Sequence, residues 1–216
     1  MTNRDEAARR IAAVGVVPVV RAPSAEKAID AARAVRAGGI PIIELTMTVP
    51  GAIDVIRELR RSMQSDVLIG AGTVLDAKTA ALCVEAGAEF LVSPGFNRAT
   101  VRYARGEGIL IMAGALTPTE VITAWNAHAD FVKIFPCGSV GGPGYIRALK
   151  AALPHIPMIP TGGVNAATAA QFLHAGAAAL GIGGELISGS ADVIAEKARQ
   201  LVTIVQAARA SAQAAG

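Results

Sequence analysis

Aromatic residues are scarce in this chain of 216 residues, at 4%, with one Trp, two Tyr and five Phe. A nucleic-acid groove interleaves aromatic side chains with basic runs. Neither is present, because 20 Lys and Arg are spread among 17 Asp and Glu, leaving a net charge of +3. No nucleic-acid partner is expected, and a pI near 9.1 points at most to a preference for anionic ligands. Cysteine is nearly absent. Cys83 and Cys137 form neither a disulfide framework nor a metal motif. His128, His155 and His174 share no ligand spacing, and no Asp/His cluster ends a strand, so no metal site is expected. Glycine, proline or charge interrupts every apolar run before it reaches membrane-spanning length, and no membrane partner is expected. The first residues lack the apolar run of a signal peptide, so a cytoplasmic location is expected.

Hydrophobic residues are plentiful at 52%, against 17% charged, which excludes disorder and allows a large core. They fall into short apolar runs separated by helical stretches. Residues 1–15 contain an opening helix, centred on 4–14. Runs read as strands follow at Val16–Val20, Ile42–Leu45, Val67–Ile69, Phe90–Val92, Ile109–Met112, Asp130–Pro136, Met158–Pro160 and Ala178–Ile182. After each comes a helix, with Ser24 a plausible N-cap and further starts near 51, Asp76, 97, Thr117, 143, Asn165 and 191. Ala37-Gly38-Gly39, Ala86-Gly87-Ala88 and Ala175-Gly176-Ala177 each close a helix before a strand. Eight strand–helix units imply right-handed parallel crossovers. Without a Gly-x-Gly-x-x-Gly loop, they favour a closed (β/α)8 TIM barrel, class α/β, over an open sheet. One domain is expected over 1–216, with an extra N-terminal helix and a tail at 210–216 that frays.

Barrel active sites form at the C-terminal ends of the strands. The rule selects Arg21, Glu44 with Thr46 and Thr48, Thr73, Ser93 with Pro94, Gly114, Lys133 with Phe135, Thr161-Gly162-Gly163 and Gly183-Gly184. Arg21, Glu44 and Lys133 read as the isolated charges of otherwise apolar strands. A lysine inside an apolar strand is uncommon unless it has a partner. Burial disfavours an ammonium group, and a neutral amine is a nucleophile able to form a Schiff base. A buried carboxylate is equally expensive alone, so Glu44 and Lys133 are tolerated if they face each other. A structural ion pair would suit the same two residues. Thr161-Gly162-Gly163 before a helix, with Gly183-Gly184, suits a phosphate cup after strands seven and eight, or tight turns alone.

Five segments occur in order: Ile43-Glu44-Leu45-Thr46, Ile69-Gly70-Ala71-Gly72-Thr73-Val74, Val92-Ser93-Pro94-Gly95, Val132-Lys133-Ile134-Phe135-Pro136 and Pro160-Thr161-Gly162-Gly163-Val164. Together they resemble the 2-keto-3-deoxy-6-phosphogluconate (KDPG) and 4-hydroxy-2-oxoglutarate (KHG) aldolases. The resemblance implies a metal-independent class I aldolase, usually a homotrimer, that needs no cofactor. It would cleave KDPG or 4-hydroxy-2-oxoglutarate to pyruvate and glyceraldehyde 3-phosphate or glyoxylate. Lys133 would be the Schiff-base lysine and Glu44 the acid/base acting through water. Thr73 and Arg21 would contact the pyruvyl carboxylate, and Pro94 and Phe135 would shape the pocket. Thr161, Gly162, Gly163 and Gly184 would lie around the phosphate. Two positions depart from the pattern. Thr48 stands where many members carry arginine, and Gly184, followed by Glu185, where many carry serine. A non-covalent phosphosugar isomerase or epimerase on the same barrel is the alternative, as is a non-catalytic oligomeric scaffold.

Overall fold

The apolar runs become strands buried on both faces, as parallel strands covered by helices must be. The structure, a computed structural model, describes residues 4–63 and 66–214, with side chains to Ser211. A first helix, α1 (Arg4–Val14), precedes β1 (Val16–Val20), α2 (Ala25–Ala37), β2 (Ile42–Thr46), α3 (Ala52–Ser62) and β3 (Leu68–Gly72). Then come α4 (Ala77–Glu85), β4 (Phe90–Val92), α5 (Arg98–Gly106), β5 (Leu110–Ala115), α6 (Pro118–Asn126) and β6 (Phe131–Ile134). The chain ends with α7 (Pro143–Ala152), β7 (Met158–Pro160), α8 (Ala166–His174), β8 (Leu180–Ile182), the single turn α9 (Gly184–Ile187) and α10 (Ala191–Ala214).

All strand pairs are parallel, in the order β7-β6-β5-β4-β3-β2-β1-β8. A parallel bridge from Thr161 to Gly181 joins the two ends, so the sheet closes on itself. Among the described residues, no helix is long and apolar enough to cross a membrane. The helix starts follow local chemistry. Ser24, Asp76, Asn97, Thr117 and Asn165 each accept a backbone N–H with a side-chain oxygen, and Thr117/Glu120 and Asn165/Thr168 form capping boxes. Each cap stabilises its helix by about 1 kcal/mol.

Several boundaries differ from expectation. Gly70, Gly72 and Gly114 continue β3 and β5 rather than opening loops. A Cβ on Gly70 would lie 2.4 Å from the Phe90 ring, so this strand carries glycine to admit an aromatic side chain. Helix α10 runs to Ala214, past the start of the expected tail at 210. It is held by contacts of His174 Nε2 with Ala208 O (3.3 Å) and Ser211 Oγ (3.1 Å), and by Arg209 donating to the carbonyls of Ala12 and Ala13. Residues 215 and 216 of the expected tail, and 1–3 of the expected N-terminal helix, lie outside the described residues. A 3-10 turn at Gly138–Val140 and the turn α9 had no periodic signal, being too short to show one.

Candidate active site

In an eight-stranded ring, β2 and β6 stand opposite each other. A side-chain contact between them therefore crosses the barrel interior. Lys133 Nζ on β6 lies 3.6 Å from Glu44 Oε1 on β2, and the two residues are only 6% and 2% exposed. The separation suits an ion pair but exceeds a hydrogen bond. Glu44 Oε1 accepts no hydrogen bond and is buried. Burial raises the Glu44 pKa above its ordinary 4.5, and the positive charges of Lys133 and then Arg21 counter that rise without cancelling it.

Neighbouring residues make room for the pair. Lys133 is in register with Gly114 on β5, and Glu44 with Gly70 on β3. A Cβ on Gly72 would sit 2.1 Å from Glu44 Oε1, so any side chain there would displace the carboxylate. Lys133 Nζ also lies 5.5 Å from the centre of the Phe135 ring, within cation–π range. Burial pushes the Cys83 thiol up to about 12 and that of Cys137 to about 11, so neither competes as a nucleophile near neutral pH.

The remaining expected residues ring the same mouth. Arg21 lies one residue beyond β1 and is exposed, so it is a rim cation rather than a charge within a strand. It borders a cavity of about 350 Å3 together with Phe135, Thr161, Gly162, Gly163 and Gly184. Thr161 is buried, and a Cβ on Gly181 would strike its Oγ1 at 2.1 Å. Gly163, at φ +79, passes so close to Gly138 that a Cβ would meet its Cα at 2.8 Å. Thr73 follows β3 in the left-handed region at φ 60, half-buried. Pro94 presses its backbone against Gly114, where a Cβ would meet the Pro94 carbonyl carbon at 2.2 Å. Ser93 Oγ accepts from Gly114 N at 3.4 Å. Thr46 Oγ1 donates to Val20 O (3.1 Å) and lies 2.7 Å from Thr48 Oγ1.

Sequence reasoning singled out neither Gly72, which clears the carboxylate, nor Val19 and Asn165, which also border the cavity. The alternation Gly70-Ala71-Gly72 inside an apolar strand is the signal that could have found Gly72. A larger depression of about 590 Å3 lies between α2 and the start of α10 and includes Arg21. Neither cavity is lined by Lys133 or Glu44, but Phe135, whose ring lies 5.5 Å from Lys133 Nζ, borders the smaller one and not the larger. Among the described residues, no three His, Cys, Asp or Glu side chains gather as a metal site.

A family model described as KDPG and KHG aldolase matches residues 8–205. The 2-dehydro-3-deoxy-phosphogluconate aldolase of Treponema pallidum (strain Nichols) is 37% identical over 160 residues, covering 74% of this chain and 76% of the relative. The 2-dehydro-3-deoxy-6-phosphogalactonate aldolase of Escherichia coli (strain K12) is 33% identical over 199 residues, covering 92% and 96%. A solved structure of KDPG aldolase from Legionella pneumophila, with pyruvate captured at low pH as a covalent carbinolamine intermediate, superposes with a TM-score of 0.78. It is 28% identical and covers 93% of this chain and 97% of that one.

Proposed function

The chain belongs to the KDPG and KHG aldolase family and is a class I aldolase, a lyase; from that premise we propose that Lys133 is its Schiff-base lysine and Glu44 its general acid/base. The observation that carries the assignment is the under-satisfied pair, Nζ 3.6 Å from a buried Oε1, at the C-terminal mouth of the barrel. The reaction is reversible cleavage of a 2-keto-3-deoxy sugar acid, or of 4-hydroxy-2-oxoglutarate, to pyruvate and an aldehyde.

Lys133, after giving a proton to Glu44, adds through Nζ to the C2 carbonyl, giving a carbinolamine. Loss of water, with a proton supplied by Glu44, leaves an iminium ion. Glu44, acting through a water, then takes the proton of the C4 hydroxyl. The C3–C4 bond breaks, its electron pair moves to the iminium to form an enamine, and C4 leaves as the aldehyde. Glu44 returns the proton to C3, and water hydrolyses the iminium to free pyruvate and Lys133. A carboxylate whose pKa is raised by burial is better matched to proton transfer near neutral pH than an ordinary glutamate.

Arg21 and Thr73 bind the pyruvyl carboxylate, and Pro94 and Phe135 flank the keto acid. Thr161, Gly162, Gly163 and Gly184 border the space for the aldehyde portion; their support is the shared cavity. The same reading includes a homotrimer, as the family resemblance implies, and a cytoplasmic location, as expected from the sequence, which sedimentation and cell fractionation would check. For the covalent step, borohydride is added in the presence of pyruvate and the peptides are mapped by mass. An adduct on Lys133 is expected. An adduct elsewhere, or none, would overturn the assignment in favour of a non-covalent isomerase or a scaffold.

A further inference from the structure

The positive charge of Arg21 reaches Glu44, yet among the described residues its guanidinium forms no ion pair. Its placement therefore depends on the backbone it grows from. Arg21 is the first residue after β1, so the peptide joining it to Val20 sets the direction in which its side chain leaves the strand. That peptide is planar, and fixing its carbonyl oxygen fixes the N–Cα bond of Arg21 at the other end. Val20 O is held in this way. It accepts a hydrogen bond at 3.1 Å from Oγ1 of Thr46, the last residue of β2.

Proton counting gives the contact a direction. The Thr46 hydroxyl has one proton, and Val20 O can only accept, so the proton goes to Val20 O. Thr48 Oγ1, 2.7 Å away, must then donate to Thr46 Oγ1. The result is a relay from Thr48 through Thr46 to Val20 O, in which each bond polarises the next. Thr46 is 0% exposed and lies two residues beyond Glu44, on the same face of β2. Strand pairing does not require the hydroxyl. Val19 is already in register with Glu44 and Val20 with Leu45, and a valine would fill the same volume as Thr46. A buried hydroxyl at this point instead ties the rim cation to the strand that carries the carboxylate.

We propose that Thr46, backed by Thr48, is a positioning residue that acts through Val20 O to hold the Arg21 guanidinium where it meets the C1 carboxylate of the keto acid. The proposal rests on the aldolase reading above, and its test separates the two. The pyruvate concentration that half-saturates borohydride trapping is read by intact mass. It is compared with the value for pyruvamide, which keeps the C2 keto group and lacks the carboxylate. Thr46→Val should raise the pyruvate value about tenfold and leave the pyruvamide value in place. Thr46→Ser, which keeps the hydroxyl, should stay near wild type. Thr48→Ala, at the exposed end of the relay, should raise the pyruvate value about threefold. In an Arg21→Ala background, neither Thr46→Val nor Thr48→Ala should add anything further. Equal rises for both keto compounds, effects that add to that of Arg21→Ala, or no rise in either threonine variant overturn the proposal. If Thr46→Val does not fold, Thr48→Ala alone and with Arg21→Ala decides by the same criteria. An unchanged pyruvate value in Arg21→Ala itself overturns the carboxylate role of Arg21 and the proposal with it. No adduct in the wild-type protein overturns the aldolase reading instead.

Discussion

Two buried glutamates, one at the site and one away from it, are treated in opposite ways. Glu89, just before β4, is 2% exposed and receives Arg60 Nη1 at 2.8 Å and Ile69 N at 3.4 Å on Oε2. Arg60 is further tied to Val67 O at 3.5 Å. Glu44 is equally buried, yet its nearest cation stands at 3.6 Å and its Oε1 accepts nothing. A buried carboxylate left short of partners is costly, of the order of 1–3 kcal/mol. The first carboxylate is built for stability, whereas the second is left ready to form bonds it lacks in the free protein. The same residue type, at the same depth, is structural or chemical according to how completely its neighbours satisfy it.

The contrast can be broken most drastically at the lysine. Lys133→Ala should reduce turnover by about 10^4-fold or more and abolish trapping by borohydride. If turnover survives, the covalent role is wrong. Next in size, Glu44→Gln should lower kcat by about 10^2 to 10^4 while retaining a trappable pyruvate adduct. Loss of both together would mean that Glu44 only props up the lysine. Gly72→Ala drives a methyl group into the space of Glu44 Oε1, and a shift of about 1 Å in a catalytic group is expected to reduce turnover about 10^2-fold. Wild-type kinetics in that variant would show that the carboxylate position is not critical.

At the satisfied pair, Arg60→Ala removes the ion-pair partner of the buried Glu89. It should lower unfolding free energy by about 3 kcal/mol in denaturant titration, with turnover per folded molecule unchanged. The smallest effect lies in pH dependence. Burial raises the folded pKa of Glu44 above the ordinary 4.5, so the folded state keeps this proton to a higher pH than the unfolded chain does. Its stabilising contribution is full below pH 4.5 and is lost as pH rises through the folded pKa. Thermal unfolding of wild type and Glu44→Gln should therefore diverge in favour of the variant as the pH rises from about 4 to about 8. Parallel curves would show that the carboxylate is not strained.

Much of the barrel could be read locally. The strand–helix alternation, the caps at Ser24, Asp76, Thr117 and Asn165, and the lone charges Glu44 and Lys133 in apolar runs depend on neighbours along the chain. What escaped depended on distant neighbours. Arg21 reads as the end of a strand, yet its side chain emerges on the rim because β1 stops at Val20. Gly70, Gly72 and Gly114 read as turn residues, yet each lies within a strand beside Phe90, Glu44 or Pro94 from another segment. The end of α10 gives no local sign of its partners, yet His174 meets Ala208 O and Arg209 donates to the carbonyls of Ala12 and Ala13 in α1.

Hydrophobic period and capping residues by themselves determined eight strand–helix units, and one lysine and one glutamate at strand ends followed from residue type. Ring closure decided the rest. Only when β7 met β8 did β2 and β6 come to face each other, bringing Lys133 within 3.6 Å of Glu44 and gathering Arg21, Phe135 and Thr161 around one cavity. Distances across a barrel are set by the circumference of the whole sheet, and no window of sequence contains that quantity.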